Sequence, residues 1–146
     1  MTMRLVILVA ATTAALTVTT APMAAEQGGV TLTVRSSAYG RILFDSRGLA
    51  LYAFTKDPRG RSVCSGACAK KWPPYVVPGP VRAGAGVKAS LLRTTRRADG
   101  SRQVTYGGRP LYYYVGDKNP GQVLCQNVKE FGGLWLVVRP SGKLVQ

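Results

Sequence analysis

The chain writes one short pattern twice, and that repetition limits what it can fold into more than any other feature. Leu51 to Asp57 (LYAFTKD) and Leu111 to Asp117 (LYYYVGD) both read Leu-Tyr-x-[Phe/Tyr]-x-x-Asp. Each follows a glycine-bearing turn and precedes a cysteine and then a tryptophan: Cys64 and Trp72 in the first copy, Cys125 and Trp135 in the second. An internal duplication explains this order, with repeats at about residues 35–77 and 98–140. Two copies are too few for a solenoid, so a single closed or sandwich-like domain over 30–146 is expected.

The periodicity within each copy points to strands. Val30 to Val34 (VTLTV) alternates strictly, as a half-buried strand does. Arg41 to Asp45, the turn Ser46-Arg47-Gly48 and Leu49 to Phe54 read as a hairpin. Gln103 to Tyr106, Gly107-Gly108 and Leu111 to Val115 read as its counterpart, with Tyr52 and Tyr112 equivalent. Ser65 to Lys71 has the length of one or two helical turns capped by Ser65, ended by Trp72-Pro73-Pro74. Tyr75 to Val77 reads as a short strand. Pro78 to Gly86 is a glycine- and proline-rich connection, and Val87 to Gly100, basic and polar, reads as mostly loop. The fold class expected is all-β: a small antiparallel sheet unit built from two pseudo-symmetric hairpin repeats, with at most one short helix.

Residues 1–25 read as an export signal. Arg4 supplies a positive start, Leu5 to Leu16 is apolar apart from Thr12 and Thr13, and Pro22-Met23-Ala24-Ala25 offers small residues for cleavage. That apolar run is shorter than the roughly 20 residues a membrane span requires. The mature protein is therefore expected to be exported and soluble, without a transmembrane segment. No cysteine lies near the cleavage region, so no lipid anchor is expected there.

Export governs the cysteines. Cys64 and Cys68, in CSGAC, read as a disulfide, because a structural zinc wants four Cys/His ligands and this chain has three cysteines and no histidine. The spacing is not the CxxC of a thioredoxin-like site. A bridge over so small a loop contributes about 2 kcal/mol in the chain-entropy model. Cys125 is then a free thiol or an intermolecular link. It could instead pair with Cys64 or Cys68, closing a loop worth roughly 4 kcal/mol.

Charge sets the class of partner. Lysines and arginines number 20 against 6 acids, a net +14 that histidine titration cannot alter, and such a surface favours polyanions. The basic residues cluster as Lys70-Lys71, Arg93 with Arg96-Arg97, and Arg102 with Arg109; the group at 93–97 is expected in a solvated loop. No nucleic-acid reading element is visible. For an exported protein the expected partners are an anionic cell-wall polymer or membrane headgroups.

With these residues laid out, the chain resembles the secreted-repeat family of bacterial lipoproteins, whose tandem repeats carry a tyrosine and an aspartate separated by four residues. Tyr52 and Asp57, then Tyr112 and Asp117, match that pattern. CSGACAKKWPP, QVTYGGRPLYYYVGD and FGGLW look like the family's other segments, so the resemblance covers most of the chain after about Val34. The family's function is unknown, so the resemblance implies no catalytic residue and no cofactor. This member lacks the lipid-bearing cysteine, and Cys125 stands outside the family's usual Cys64/Cys68 pair.

The repeated motif admits two roles. Tyr52, Phe54, Tyr112 and Tyr114 could pack while Asp57 and Asp117 cap turns, with Trp72 and Trp135 in the core. Alternatively the four aromatics form a platform edged by two carboxylates, able to bind a sugar, a quinone-like ring or a cation. Glycoside hydrolysis would need one carboxyl of raised pKa, and both are expected in solvated turns. The leading expectation is a non-catalytic envelope module binding an anionic or ring-bearing partner. A redox accessory using the cysteines is the alternative, weakened, like any hydrolase, by the absence of histidine.

Overall fold

Nine short strands, one five-residue α-helix and one 3-10 turn make up the regular structure of residues 30–146, the part of the chain described by the computed structural model. The expected export signal lies outside the described residues. The strands are β1 (Val30–Ser37), β2 (Gly40–Asp45), β3 (Tyr52–Phe54), β4 (Val81–Ala83), β5 (Leu92–Arg96), β6 (Arg102–Tyr106), β7 (Arg109–Pro110), β8 (Val128–Glu130) and β9 (Gly133–Val137); the helix is α1 (Ala67–Lys71). They form three three-stranded sheets, ordered β2-β1-β4, β3-β9-β8 and β5-β6-β7. The fold is all-β, with one parallel pair, β1 with β4, rather than one antiparallel sheet.

The duplication is visible in the register. Leu32 pairs with Asp45 between β1 and β2, as Leu92 pairs with Tyr106 between β5 and β6. Past the turn, the Leu51 amide donates to Leu43 O and the Leu111 amide to Val104 O. Beyond these bonds the two repeats exchange partners. Tyr52 in β3 pairs with Val137 of the second repeat, while Tyr112 bridges Pro74 of the first. The Leu43 amide donates to Val138 O and the Val104 amide to Tyr75 O. Each repeat thus completes its ladder with the closing segment of the other.

This exchange corrects both hairpins. In the first, a single bridge, Phe44 to Ala50, links the arms before β3 leaves for β9. In the second, Gly107-Gly108 does form a two-residue turn between Tyr106 and Arg109, with φ of 57° and 75° as a type I′ turn requires. Its returning strand ends at Pro110, however, and residues 113–115 are not strand. The stretch expected to be a loop over Val87 to Gly100 contains a 3-10 turn, Ala89–Leu91, and β5. β5 is an edge strand exposing Arg93 and Arg96 and burying only Leu92, a charged edge of the kind that discourages further pairing. Tyr75 to Val77 makes one bridge, Val76 to Gln103, rather than a strand. Ser65 does not cap α1, whose N-cap is Gly66, without a side-chain bond.

Because the central segment is buried on both faces, its alternation feeds two cores. Ala50, Tyr52 and Phe54 join Ile42, Phe44, Trp72, Tyr112 and Trp135 in an aromatic core. Leu51 and Ala53 join Leu32, Leu43, Val104, Tyr106 and Leu111 in a second, mainly aliphatic one. Each large side chain so buried contributes roughly 1.5–3 kcal/mol.

The β8–β9 turn is built against local preference. Glu130 pairs with Gly133, so Phe131 and Gly132 form the turn, with φ of 53° and 83°. An L-residue in the left-handed region loses roughly 1–2 kcal/mol to contact between its Cβ and the carbonyl, and asparagine tolerates it best after glycine. Phe131 is 42% exposed and has little packing to lose. Phe131→Asn is therefore expected to stabilise the domain by about 1 kcal/mol in urea denaturation; an unchanged or lower midpoint would show that the phenyl contributes more than its conformation costs.

Candidate functional site

The two motif tyrosines meet at a local pseudo-twofold axis. The Tyr52 amide donates to Tyr112 O at 2.9 Å, and the Tyr112 amide donates to Tyr52 O at 2.9 Å. Their side chains then cross between repeats. Tyr52 Oη donates to Asp117 Oδ2 at 2.6 Å, and Tyr112 Oη donates to Asp57 Oδ2 at 2.6 Å. Each aspartate spends its second oxygen on the residue before a motif cysteine: Asp57 Oδ1 accepts the Val63 amide and Asp117 Oδ1 the Leu124 amide. The tyrosine and aspartate of one motif, separated by four residues in sequence, therefore serve opposite halves of the molecule.

The aromatic core obeys the same symmetry. Trp72 and Trp135 stack with centroids 4.1 Å apart and planes 4° from parallel. Phe54 stacks on Trp135 and Tyr114 tilts over Trp72. Tyr52 meets Trp72 edge-on, as Tyr112 meets Trp135. Such geometries add about 0.5–1.5 kcal/mol per pair beyond area burial. The symmetry breaks at the indole nitrogens. Trp72 Nε1 donates to Glu130 Oε2 at 3.0 Å, whereas Trp135 Nε1 is buried without a partner.

This arrangement removes the aromatic platform. Tyr52 and Tyr112 are wholly buried, Phe54 nearly so, and only Tyr114 is partly accessible. The expectation of solvated carboxylates also fails. Asp117 is buried and Asp57 half-buried, and in both cases burial pushes the carboxyl above its usual range, against the opposing pull of the tyrosine and amide donors. Burial also raises the phenols of Tyr52 and Tyr112, and their aspartate partners raise them further. Each phenol keeps its proton, so each tyrosine donates to the aspartate of the other repeat.

Arg97 extends the second of these pairs. Its Nη1 donates to Ser62 Oγ at 2.7 Å and to Gln103 Oε1 at 2.9 Å, and its Nη2 to Cys64 O at 2.8 Å. Ser62 Oγ lies 2.7 Å from Tyr112 Oη. The single phenolic proton goes to Asp57, so the serine must donate to the tyrosine. Donation runs from Arg97 through Ser62 and Tyr112 to Asp57, and the Arg97 side chain is only 7% exposed. The expectation that Arg97 sits in a solvated loop is overturned, whereas Arg93 and Arg96 are exposed. Arg97 lines two adjoining clefts, of about 350 and 520 Å3.

The charge distribution is lopsided. Asp45 is 1% exposed and accepts from the Arg47 and Leu49 amides, Arg47 Nε and Tyr113 Oη. Glu130 accepts from Trp72 and Lys71. With Asp57 and Asp117 also engaged internally, Asp99 is the one exposed acid among the described residues. All their lysines and arginines are exposed except Lys71, Arg97 and Arg109. Lys70 and Arg102 are thus solvated, but Arg109 and Lys71 are not free surface charges.

Cys64 and Cys68 form a disulfide, and Cys125 is a partly buried thiol whose pKa is raised by burial. Cys125 stands where Cys64 does in the other copy, directly after the amide that binds the aspartate. Among the described residues no group of three or more Cys, Asp or Glu is placed to hold a metal, and no helix is long and apolar enough to cross a membrane.

Sequence reasoning missed the roles of Ser62, Arg97, Gln103 and Asp45, whose polar partners lie in turns or on other strands and leave no periodic signature. Residues 33–75 and 93–139 match the model of a lipoprotein family described as a secreted repeat of unknown function. No curated protein and no solved structure matches the chain.

Proposed function

Starting from a chain that belongs to the family of secreted repeats of unknown function, we propose that this member is a non-catalytic module of the cell envelope that binds an anionic polymer through its surface charge. One observation carries the reading: four of the five acids among the described residues are spent on internal hydrogen bonds, Asp45 taking up the exposed Arg47 among them, which leaves Asp99 as the one exposed acid facing the remaining exposed cations. A basic surface with most of its own acids withdrawn offers few internal competitors for a polyanion. The motif supports the reading indirectly, because its tyrosines, tryptophans and carboxylates build the scaffold and leave recognition to the surface. Disulfide exchange is disfavoured as a function, since Cys64 is 1% and Cys68 7% exposed, and exchange needs an accessible sulfur.

Binding of this kind is weak per contact and depends on salt. Retention of the mature domain on immobilised poly(glycerol phosphate) is expected to fall steeply as the screening length shortens from about 10 Å at 0.1 M salt to about 3 Å at 1 M. Arg93→Gln with Arg96→Gln should weaken retention with the melting temperature kept, since both side chains are exposed. Arg97→Gln should lower both, because it breaks the buried relay. Retention indifferent to salt, or absent at low salt, would remove the electrostatic reading.

A further inference from the structure

We propose that the cleft between residues 61–63 and 96–98 is a built site for a phosphate group, held between the exposed Arg61 and Arg96 over the buried charge of Arg97. The proposal rests on the polyanion reading above and names the group on the polymer that the domain grips.

The cleft is open to solvent, with a volume of about 520 Å3, and its lining includes Arg61, Ser62, Arg96 and Arg97 but no acid. That volume falls within the range of small-ligand pockets, roughly 300–1,000 Å3, so it has room for a phosphate with its flanking polyol. The buried arginine makes it more than a patch of surface charge. The direct partners of the Arg97 guanidinium, Ser62 Oγ, Gln103 Oε1 and Cys64 O, are all neutral. Its Nε is buried and makes no hydrogen bond. The nearest carboxylate, Asp99, stays 3.9 Å from Nε with its side chain 65% exposed, and it commits Oδ1 to the Ser101 amide and hydroxyl. A cation held this far from water is costly unless a counter-charge is close. Asp57 stands two hydroxyls away along the relay, so an anion in the cleft would meet an arginine whose nearest carboxylate is held only in that one long, exposed ion pair. Planar guanidinium forks suit phosphate oxygens better than ammonium groups do, and all three cations here are arginines.

Isothermal titration with poly(glycerol phosphate) and with glycerol phosphate, beside sedimentation with phosphatidylglycerol vesicles, tests this. Arg61→Gln with Arg96→Gln should weaken polymer binding at least ~10-fold, the scale of two lost charge-assisted hydrogen bonds. Arg82→Gln with Lys143→Gln removes the same charge from exposed residues that do not line the cleft, and should weaken it by less than ~3-fold. Asp99→Asn, which removes the competing carboxylate, should tighten binding ~2-fold or more. Arg97→Lys keeps the charge but not the fork and should lose affinity for glycerol phosphate; if it fails to fold, the rim pair and Asp99→Asn decide. Cleft-dependent binding of vesicles alone would identify a lipid headgroup as the source of the phosphate, and cleft-dependent binding of the polymer alone would identify a wall polymer. Equal losses from the two double variants overturn the cleft and leave the polyanion reading standing. No binding to the polymer or the vesicles by the unaltered protein overturns both, and equal cleft-dependent binding of polygalacturonate overturns the assignment to phosphate.

Discussion

Tyr52→Phe is expected to destabilise the domain by about 2–4 kcal/mol, and the lost energy to couple to Asp117 in the other repeat rather than to Asp57 in its own. A hydrogen bond to a charged acceptor contributes roughly 1.5–3 kcal/mol, and leaving a buried acceptor unpaired adds a desolvation penalty of similar size. Both apply, because Tyr52 is fully buried and Asp117 is 6% exposed. A double-mutant cycle separates the pairings. Tyr52→Phe with Asp117→Asn should show a coupling above ~1.5 kcal/mol, whereas Tyr52→Phe with Asp57→Asn should add to within ~0.5 kcal/mol. The mirror cycle, Tyr112 with Asp57 against Tyr112 with Asp117, should give the same pattern. Coupling within a repeat that exceeds coupling between repeats would refute the crossed arrangement. The crossing also explains the spacing. The strand carries each tyrosine to the pseudo-twofold axis, and the turn that bonds the Asp57 amide to Phe54 O, or the Asp117 amide to Tyr114 O, brings the next aspartate back beneath the opposite phenol.

Strands β1, β2, β3 and β6, the duplication and the disulfide pair are legible in the sequence because each leaves a local trace: alternation, repeated order, and a short cysteine spacing in a chain of a secreted family. The exchange leaves none. A hairpin reading of residues 41–54 assumes that consecutive strands pair, and Leu49 to Phe54 has the alternation to do so. The partner it takes instead, Val137, lies in the closing segment whose Trp135 pairs with and stacks on Phe54, and that choice is made in three dimensions. β5 escapes a sequence reading for a related reason. An edge strand that buries one leucine and exposes arginines has the composition of a loop, and only its register with β6 reveals it. Arg97 resembles a surface residue because it follows the exposed Arg96 in an unbroken basic run. Nothing in a pair of adjacent arginines says that the second turns inward to Ser62 and Gln103. The motif itself reads as a platform because aromatics at alternate positions share a face, and that face lies against the tryptophan stack.

Raising the pH should unfold the domain abruptly. Tyr52, Tyr112 and Tyr113 have their phenol pKa pushed well above the ordinary value by burial first and by neighbouring carboxylates next, and Tyr75 is raised to about 12 by the same causes. In the unfolded chain the same phenols ionise near pH 10. Between those limits the folded state holds protons that the unfolded state has released, so stability falls as pH rises. The contribution is intact below about pH 10 and is lost at roughly 1.4 kcal/mol per pH unit for each phenol, or about 5.5 for four. Against a typical total of roughly 5–15 kcal/mol, one to three pH units suffice. Relief of lysine repulsion at the same pH opposes this, but those charges are exposed and screened. The acidic side is different. Asp57 and Asp117 bind protons more tightly when folded, so their contribution increases on mild acidification and is not the cause of acid unfolding. Thermal melts from neutral pH upward, with tyrosinate absorbance recorded in parallel, decide the matter. The melting temperature should hold to about pH 10 and then collapse, with most of the tyrosinate appearing together with the unfolding signal. Phenols that ionise near their ordinary pH while the fold persists would mean that the motif tyrosines are not sealed in the core, and would reopen the aromatic surface as a place for ligands.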